Sequence, residues 1–253
     1  MARYYEGAAL EKILELSLWA GAPERDLTIL AEGNASLKVG PNLLVKGSGA
    51  QMGMALASDF VEVDRAPLQA LIDHGNASDV DVESELLGAR TWGVRRPSVE
   101  TLLHVVCQSY DSVTAVLHTH PTPVNALLCS SAADLLVSGS YFPDQIVTLG
   151  HNPMLIPYID PGLPLAHAAK SLIAEHVEAT GSVPKVIYLQ NHGMFALGGT
   201  VSEAKQITQM AVKSARVILG AASVGSLVPL SPEQADRIHT RPDELVRRSE
   251  LLG

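Results

Sequence analysis

The chain has 253 residues, of which 47% are hydrophobic, and a net charge of −9. That is enough apolar material for one large domain with a substantial core, or two small ones. The acidic balance, with a pI near 5.4, excludes nucleic-acid binding through general phosphate attraction. The longest basic cluster, Arg247-Arg248, reads as a solvated helix face. Aliphatic packing must dominate the core because aromatics are only 4% of the chain. With Cys107 and Cys129 as the sole cysteines, neither a disulfide framework nor a Cys-rich metal site is indicated, which fits a reducing cytoplasm.

The N-terminus leads directly into a charged amphipathic helix, with no targeting segment and no apolar run approaching a membrane span. Residues 6 to 20 place Leu10, Ile13, Leu14 and Leu18 at helical spacing, and Gly21-Ala22-Pro23 closes that helix. Short β-type runs follow at Leu27–Leu30, Ser36–Val39, Leu43–Lys46 and Phe60–Asp64, and the glycine turns between them predict antiparallel strands. Two of those turns, Glu32-Gly33-Asn34 and Lys46-Gly47-Ser48-Gly49, combine backbone N–H groups with the side chains of Asn34, Ser36, Lys46 and Ser48. An anionic oxygen cluster such as a phosphate needs such groups, although each taken alone reads first as an ordinary turn.

Residues 66 to 92 are polar and partly helical, and Asp79, Asp81, Glu83 and Glu85 form an acidic surface without the spacing of a calcium loop. Next, Pro97 and an N-capping Ser98 precede a helix with Leu103, Val106, Cys107 and Tyr110 on its apolar stripe. Glu100 shares that inward stripe. A helix dipole explains an acid in a first turn, but burying one is costly unless it has a partner or a task.

The run Ala115–Pro121 predicts a strand ending in His118-Thr119-His120. Residues at i and i+2 of a strand face the same way, so both imidazoles can address one divalent ion, though two exposed histidines at a strand end would look the same. Val124–Leu136 is small and apolar, Gln145–Gly150 is strand-like, and a proline-rich loop spans 157 to 162, with His151 a spare ligand candidate. Residues 165 to 178 form a helix whose His167 and His176 read as structural or surface residues. A hydrophobic strand then reaches the turn Asn191-His192-Gly193, which places His192 at a strand end. A capped helix over 202 to 220 follows Thr200, and a charged tail begins at about 229.

With Gly33-Asn34-Ala35-Ser36, Lys46-Gly47-Ser48-Gly49, Pro97-Ser98-Val99-Glu100, His118-Thr119-His120-Pro121 and Asn191-His192-Gly193 in this order, the chain resembles the class II aldolase/adducin family over roughly residues 6 to 220. The resemblance implies an α/β fold, a single three-layer α/β/α domain over 1-253 with a central, mainly antiparallel sheet. It also implies a homotetramer with active sites at subunit interfaces. The zinc ligands it implies are His118, His120 and His192, with manganese or cobalt as possible alternatives, and the acid/base it implies is Glu100. The phosphate grip falls on Asn34, Ser36, Lys46, Ser48, Gly49 and Ser98, and Val99 stands where many phosphate aldolases have a second serine.

For members such as fuculose-phosphate and rhamnulose-phosphate aldolases, the implied reaction is retro-aldol cleavage of a ketose phosphate through a metal-stabilised enediolate. The same three-histidine site also serves decarboxylases of keto or hydroxy acids, sugar-phosphate 4-epimerases and a methylthioribulose-phosphate dehydratase. Val99 and Arg95-Arg96, which could receive a carboxylate instead of a phosphate, add some weight to the decarboxylase alternative, and Tyr141 and Tyr158 are candidates for completing the site. Adducin relatives use the fold as a non-enzymatic module and lack the ligands, whereas all three histidines and the acid are present here. The expected partner is therefore a small molecule, not nucleic acid or a membrane.

Overall fold

Among the described residues, eight strands make one sheet in the order β4-β3-β2-β1-β5-β8-β7-β6. They are β1 (Asn34–Val39), β2 (Asn42–Lys46), β3 (Phe60–Asp64), β4 (Arg90–Trp92), β5 (Ala115–Thr119), β6 (Met154–Ile156), β7 (Val186–Leu189) and β8 (Gly193–Gly198). The computed structural model describes residues 2–243, with side chains from residue 7, so Arg247-Arg248 lies outside the described residues. Among the described residues only β6 and β7 pair in parallel; every other neighbouring pair is antiparallel, with short turns joining β1 to β2 and β7 to β8.

Each face of the sheet buries its own core, because alternate residues along a strand serve opposite sides. On β5, Ala115 and Leu117 pack with one core while Val116 packs with the other. The first core collects α1 (Ala2–Ala20), α5 (Thr122–Leu128), α6 (Pro143–Leu149) and α8 (Val201–Val224). The second collects α2 (Arg65–His74), α3 (Asp79–Gly88), α4 (Thr101–Cys107) and α7 (Leu163–Thr180). This is the expected three-layer α/β/α arrangement. A ninth helix, α9 (Pro232–Thr240), lies in the tail and packs Ala235 and Ile238 on Ile146 and Val147 of α6. Among the described residues no helix is long and apolar enough to cross a membrane.

Several local expectations are corrected. Leu27–Leu30 is not a strand: Leu30 takes a left-handed φ of 50°, the Ile29 N–H is bonded to Glu32 Oε2 at 3.1 Å, and only Leu27 is buried. Gln145–Gly150 belongs largely to α6, because Pro143 starts a helix and the Gln145 amide oxygen accepts the Tyr141 N–H. Ser98 is not the N-cap. The cap is Glu100, with Ser98 one turn earlier, where its C=O accepts the Thr101 N–H at 3.0 Å. Tyr110 lies beyond the end of α4, and the buried stripe of α1 is Ile13, Leu16 and Ala20, leaving Leu18 exposed. The Thr200 cap stands, its side chain accepting the Glu203 N–H.

Candidate metal centre

The site gathers at the ends of β1, β5 and β8, in the middle of the sheet. Strand register places Asn34 of β1 and Phe195 of β8 on either side of His118. His120 is just past the end of β5, where its N–H donates to Leu27 C=O at 2.8 Å, and the irregular Leu27 segment thus holds the second histidine. The rings of His118 and His120 are 4.6 Å apart and their Nε2 atoms 2.9 Å apart.

His192 arrives on the turn between β7 and β8, which Asn191 makes by taking a left-handed φ of 56°. Gly193 is required at the next position, since a Cβ there would come within 2.4 Å of His120 Cδ2 and 2.6 Å of Thr119 O. Gly33 has the same function beneath the other side, where a Cβ would meet His118 O at 2.7 Å. The glycines of both motifs therefore serve close approach of backbone to the histidines.

Glu100 completes the cluster. Its Oε1 lies 3.1 Å from His192 Nε2 and 3.3 Å from His118 Nε2. One ligand atom from each of Glu100, His118, His120 and His192 falls within 4.8 Å of the others. The donor chemistry fits a divalent cation. His118 Nδ1 lies 3.0 Å from Met194 O, which assigns the proton to Nδ1 and leaves Nε2 with a free lone pair. Burial and the neighbouring His118 and His192 lower the His120 pKa to about 3, so that ring is a neutral donor at neutral pH. His192 Nδ1 is buried with no partner among the described residues.

Burial, the largest single influence, pushes the Glu100 carboxyl up, but His118 and His192 in their protonated forms together outweigh it and hold it well below the usual carboxylate range. Two opposing influences on a proton-exchanging acid follow from its position; in this arrangement the charged form prevails.

The six anion-binding candidates separate into two groups. Ser48 and Gly49 are exposed and Ser98 is half-buried, and they sit together because the Ser48 N–H donates to Arg96 C=O and Gly47 bridges to Pro97. Lys46 lies beneath that turn, buried, with Nζ donating to Ala50 C=O at 2.6 Å. Burial lowers its pKa to about 8, against the opposing pull of Glu100. Ser36 is fully buried and its hydroxyl is engaged with His104 and Gln108. Both ends of the Asn34 amide are engaged, one by His104 and the other by Glu100 Oε2 at 2.6 Å.

Arg95 is tied to Asp59 at 2.5 Å and Arg96 is paired with Glu83, at the edge of the same turn. The Tyr141 hydroxyl donates to Leu135 C=O at 3.3 Å and Tyr158 to Asp160 at 3.0 Å, so neither is joined to the cluster within this chain. His151 lies elsewhere, beside Asp236 and His239 of α9.

Sequence reasoning missed His104 and Gln108. Glu100, His104 and Gln108 recur at i, i+4 and i+8, a polar stripe on a helix whose remaining residues are almost all apolar, and that spacing was the available signal.

Against known proteins, the chain is 26% identical over 209 residues to a 3-oxo-tetronate 4-phosphate decarboxylase of Haemophilus influenzae, covering 82% of this chain and 86% of that one. It is 27% identical over 206 residues to a methylthioribulose-1-phosphate dehydratase of Serratia proteamaculans, with coverages of 79% and 89%. An L-fuculose 1-phosphate aldolase structure superimposes with a TM-score of 0.68 at 21% identity, covering 92% of this chain and 94% of that one. Residues 11–219 match the family described as Class II Aldolase and Adducin N-terminal domain, and the chain belongs to that family.

Proposed function

We propose that this chain is a metal-dependent lyase that cleaves a phosphorylated ketose by retro-aldol chemistry. The observation that carries this reading is the convergence of three imidazoles and one carboxylate within 4.8 Å at the sheet centre. Zinc suits three nitrogen ligands with an open position, and manganese or cobalt can replace it. When bound by His118, His120 and His192, such a cation supplies Lewis acidity toward a substrate carbonyl oxygen.

The chain's own residues supply the rest. Glu100 Oε1 faces the histidines while Oε2 is held by Asn34, which leaves Oε1 to give or take the proton on the carbon beside that carbonyl. A Schiff-base lysine is not needed on this route. Lys46, beneath its turn, braces the Ser48-Gly49 backbone, and Ser98 closes the other side. Together they make a small anion cradle beside the acid. All three similar proteins named above act on phosphorylated compounds by their names, which supports a phosphate there. A homotetramer with shared sites and one domain spanning 1-253 complete the proposal.

A second reading, decarboxylation of a phosphorylated keto acid, draws support from the Haemophilus influenzae relative and from Arg95 at the cradle's edge. The two are separated by screening sugar phosphates and phosphorylated keto acids while assaying dihydroxyacetone phosphate and carbon dioxide independently. Dihydroxyacetone phosphate formed with an aldehyde and without carbon dioxide supports the first reading; carbon dioxide supports the second, and dihydroxyacetone phosphate then accompanies it where the acid is a four-carbon 3-keto 4-phosphate. Neither product from any substrate, with metal bound, contradicts both.

A further inference from the structure

Behind Glu100 is a chain of buried hydrogen bonds that the reaction itself does not call for. It runs from Gln108 through Ser36, His104 and Asn34 to Glu100, and Ser36, His104 and Gln108 are all fully buried. We propose that His104 is a positioning residue: by donating from Nε2 to Asn34 Oδ1 it fixes the orientation of that amide and, through it, of the Glu100 carboxylate. This rests on the role of Glu100 given above.

An amide side chain has a donor end and an acceptor end that are nearly identical in shape, so its direction is set by what surrounds it. Asn34 has Glu100 Oε2 at 2.6 Å from Nδ2, and a carboxylate accepts only, so Nδ2 must face it. With the amide reversed, Oδ1 would meet the carboxylate with no proton between them, at the cost of two buried acceptors facing each other. Oδ1 therefore faces His104 Nε2, and the contact is favourable only if Nε2 carries the proton.

The other side of the ring accommodates that tautomer. Gln108 Nε2 donates to Thr114 C=O at 2.8 Å, which turns its Oε1 toward Ser36. The Ser36 hydroxyl lies 2.6 Å from His104 Nδ1 and 3.3 Å from Gln108 Oε1, and with the ring proton held on Nε2 by the Asn34 side the hydroxyl donates to the bare Nδ1 at the shorter distance. Nδ1 is then an acceptor and Nε2 the donor. Burial keeps the ring neutral, with its pKa lowered to about 3, so the assignment does not change across the working range of pH. Phe195, whose ring centroid is 5.2 Å away, walls off the remaining face. The backbone at Thr114 is thus connected through four side chains to one carboxylate oxygen, leaving Oε1 free to turn to the histidines.

The test uses full-length, zinc-loaded protein. Nitrogen NMR of the imidazoles should show His104 neutral, with Nε2 protonated and Nδ1 bare; protonated Nδ1 at neutral pH overturns the proposal whatever the protein catalyses. Deuterium exchange from heavy water into dihydroxyacetone phosphate then reads the acid directly. His104→Leu, which has no donor, should lower the maximal exchange rate ~10–100-fold with KM and zinc content unchanged, whereas His104→Gln, whose amide can donate toward Asn34, should stay within a few-fold of wild type. Equal losses in both variants would reduce His104 to packing and overturn the proposal. If His104→Leu does not fold, the Gln variant and the tautomer still decide. Wild-type protein that shows no exchange while displaying the expected tautomer counts against the lyase reading and leaves the positioning intact.

Discussion

The metal centre and the Lys46–Ala50 turn are neighbours built on opposite terms. At the centre, strand register and two glycines bring backbone and imidazoles together, and His118 is fully buried between Asn34 and Phe195. At the turn, Lys46, Gly47 and Ala50 are buried, while Ser48 and Gly49 face solvent. The first region can be set to a fraction of an ångström because a packed sheet over-determines it; the second can adapt to different anionic groups. The sites of related proteins with different substrates can therefore share a centre and differ around it.

The largest effect should come from the acid. Glu100→Gln keeps the shape but takes no proton, so turnover should fall by a factor on the order of 10² or more while metal content persists. Near-normal turnover in that variant would reduce Glu100 to a helix-terminus partner, and lost metal would make it a ligand.

Glycine substitutions sharpen the contrast. Gly193→Ala places a methyl 2.4 Å from His120 and 2.6 Å from a backbone oxygen. It should cost about 1–3 kcal/mol in unfolding free energy and also weaken metal binding. Gly49→Ala meets nothing within 4 Å and suffers only from its φ of 75°, so about 1 kcal/mol is expected, with metal binding untouched. Urea titration with metal analysis on both variants checks this; equal losses of metal would erase the distinction between the two regions.

Acid should also act on the centre first. His104 and His120 have folded pKa values lowered to about 3 from 6.5, so below 6.5 the unfolded chain binds protons that the folded one refuses. Stability therefore falls as pH drops from 6.5, on the order of 1 kcal/mol per unit for each ring. Lys46, lowered to about 8 from 10.5, shares that sign in a different window: its contribution grows as pH rises from 8. Above 9 the buried Cys107 thiol, raised to about 12, opposes it. Urea midpoints against pH, compared with Lys46→Met and His104→Gln, should flatten the alkaline and acid limbs respectively, and an unchanged limb would refute that group's assignment. The smallest effect is expected at the turn surface, where Ser48→Ala should raise KM for a phosphorylated substrate a few-fold with kcat nearly constant. A kcat loss without a KM change would move Ser48 into the chemistry.

Legibility followed the same division. The histidine pair could be read from strand alternation, and the order of five motifs carried the fold, because both depend on local spacing. The contacts of Ser36 and Asn34 were not legible because a turn sequence does not say which way its side chains point, and here β1 register sends them toward α4. Leu27–Leu30 looked like a strand because its apolar composition concealed a left-handed Leu30, and Gln145–Gly150 because six residues cannot distinguish a helix from a strand by period. His104 was passed over because a histidine on an apolar helix is ordinarily a satisfied core residue, and only the tertiary structure shows what satisfies it.

The most direct test of the three-histidine centre is the metal content of purified protein after dialysis, by mass spectrometry, for wild type and for the triple variant His118→Ala, His120→Ala, His192→Ala. About one divalent ion per chain in wild type and none in the folded triple variant is the expected result. Equal metal in both, or none in either after zinc has been supplied, would contradict it.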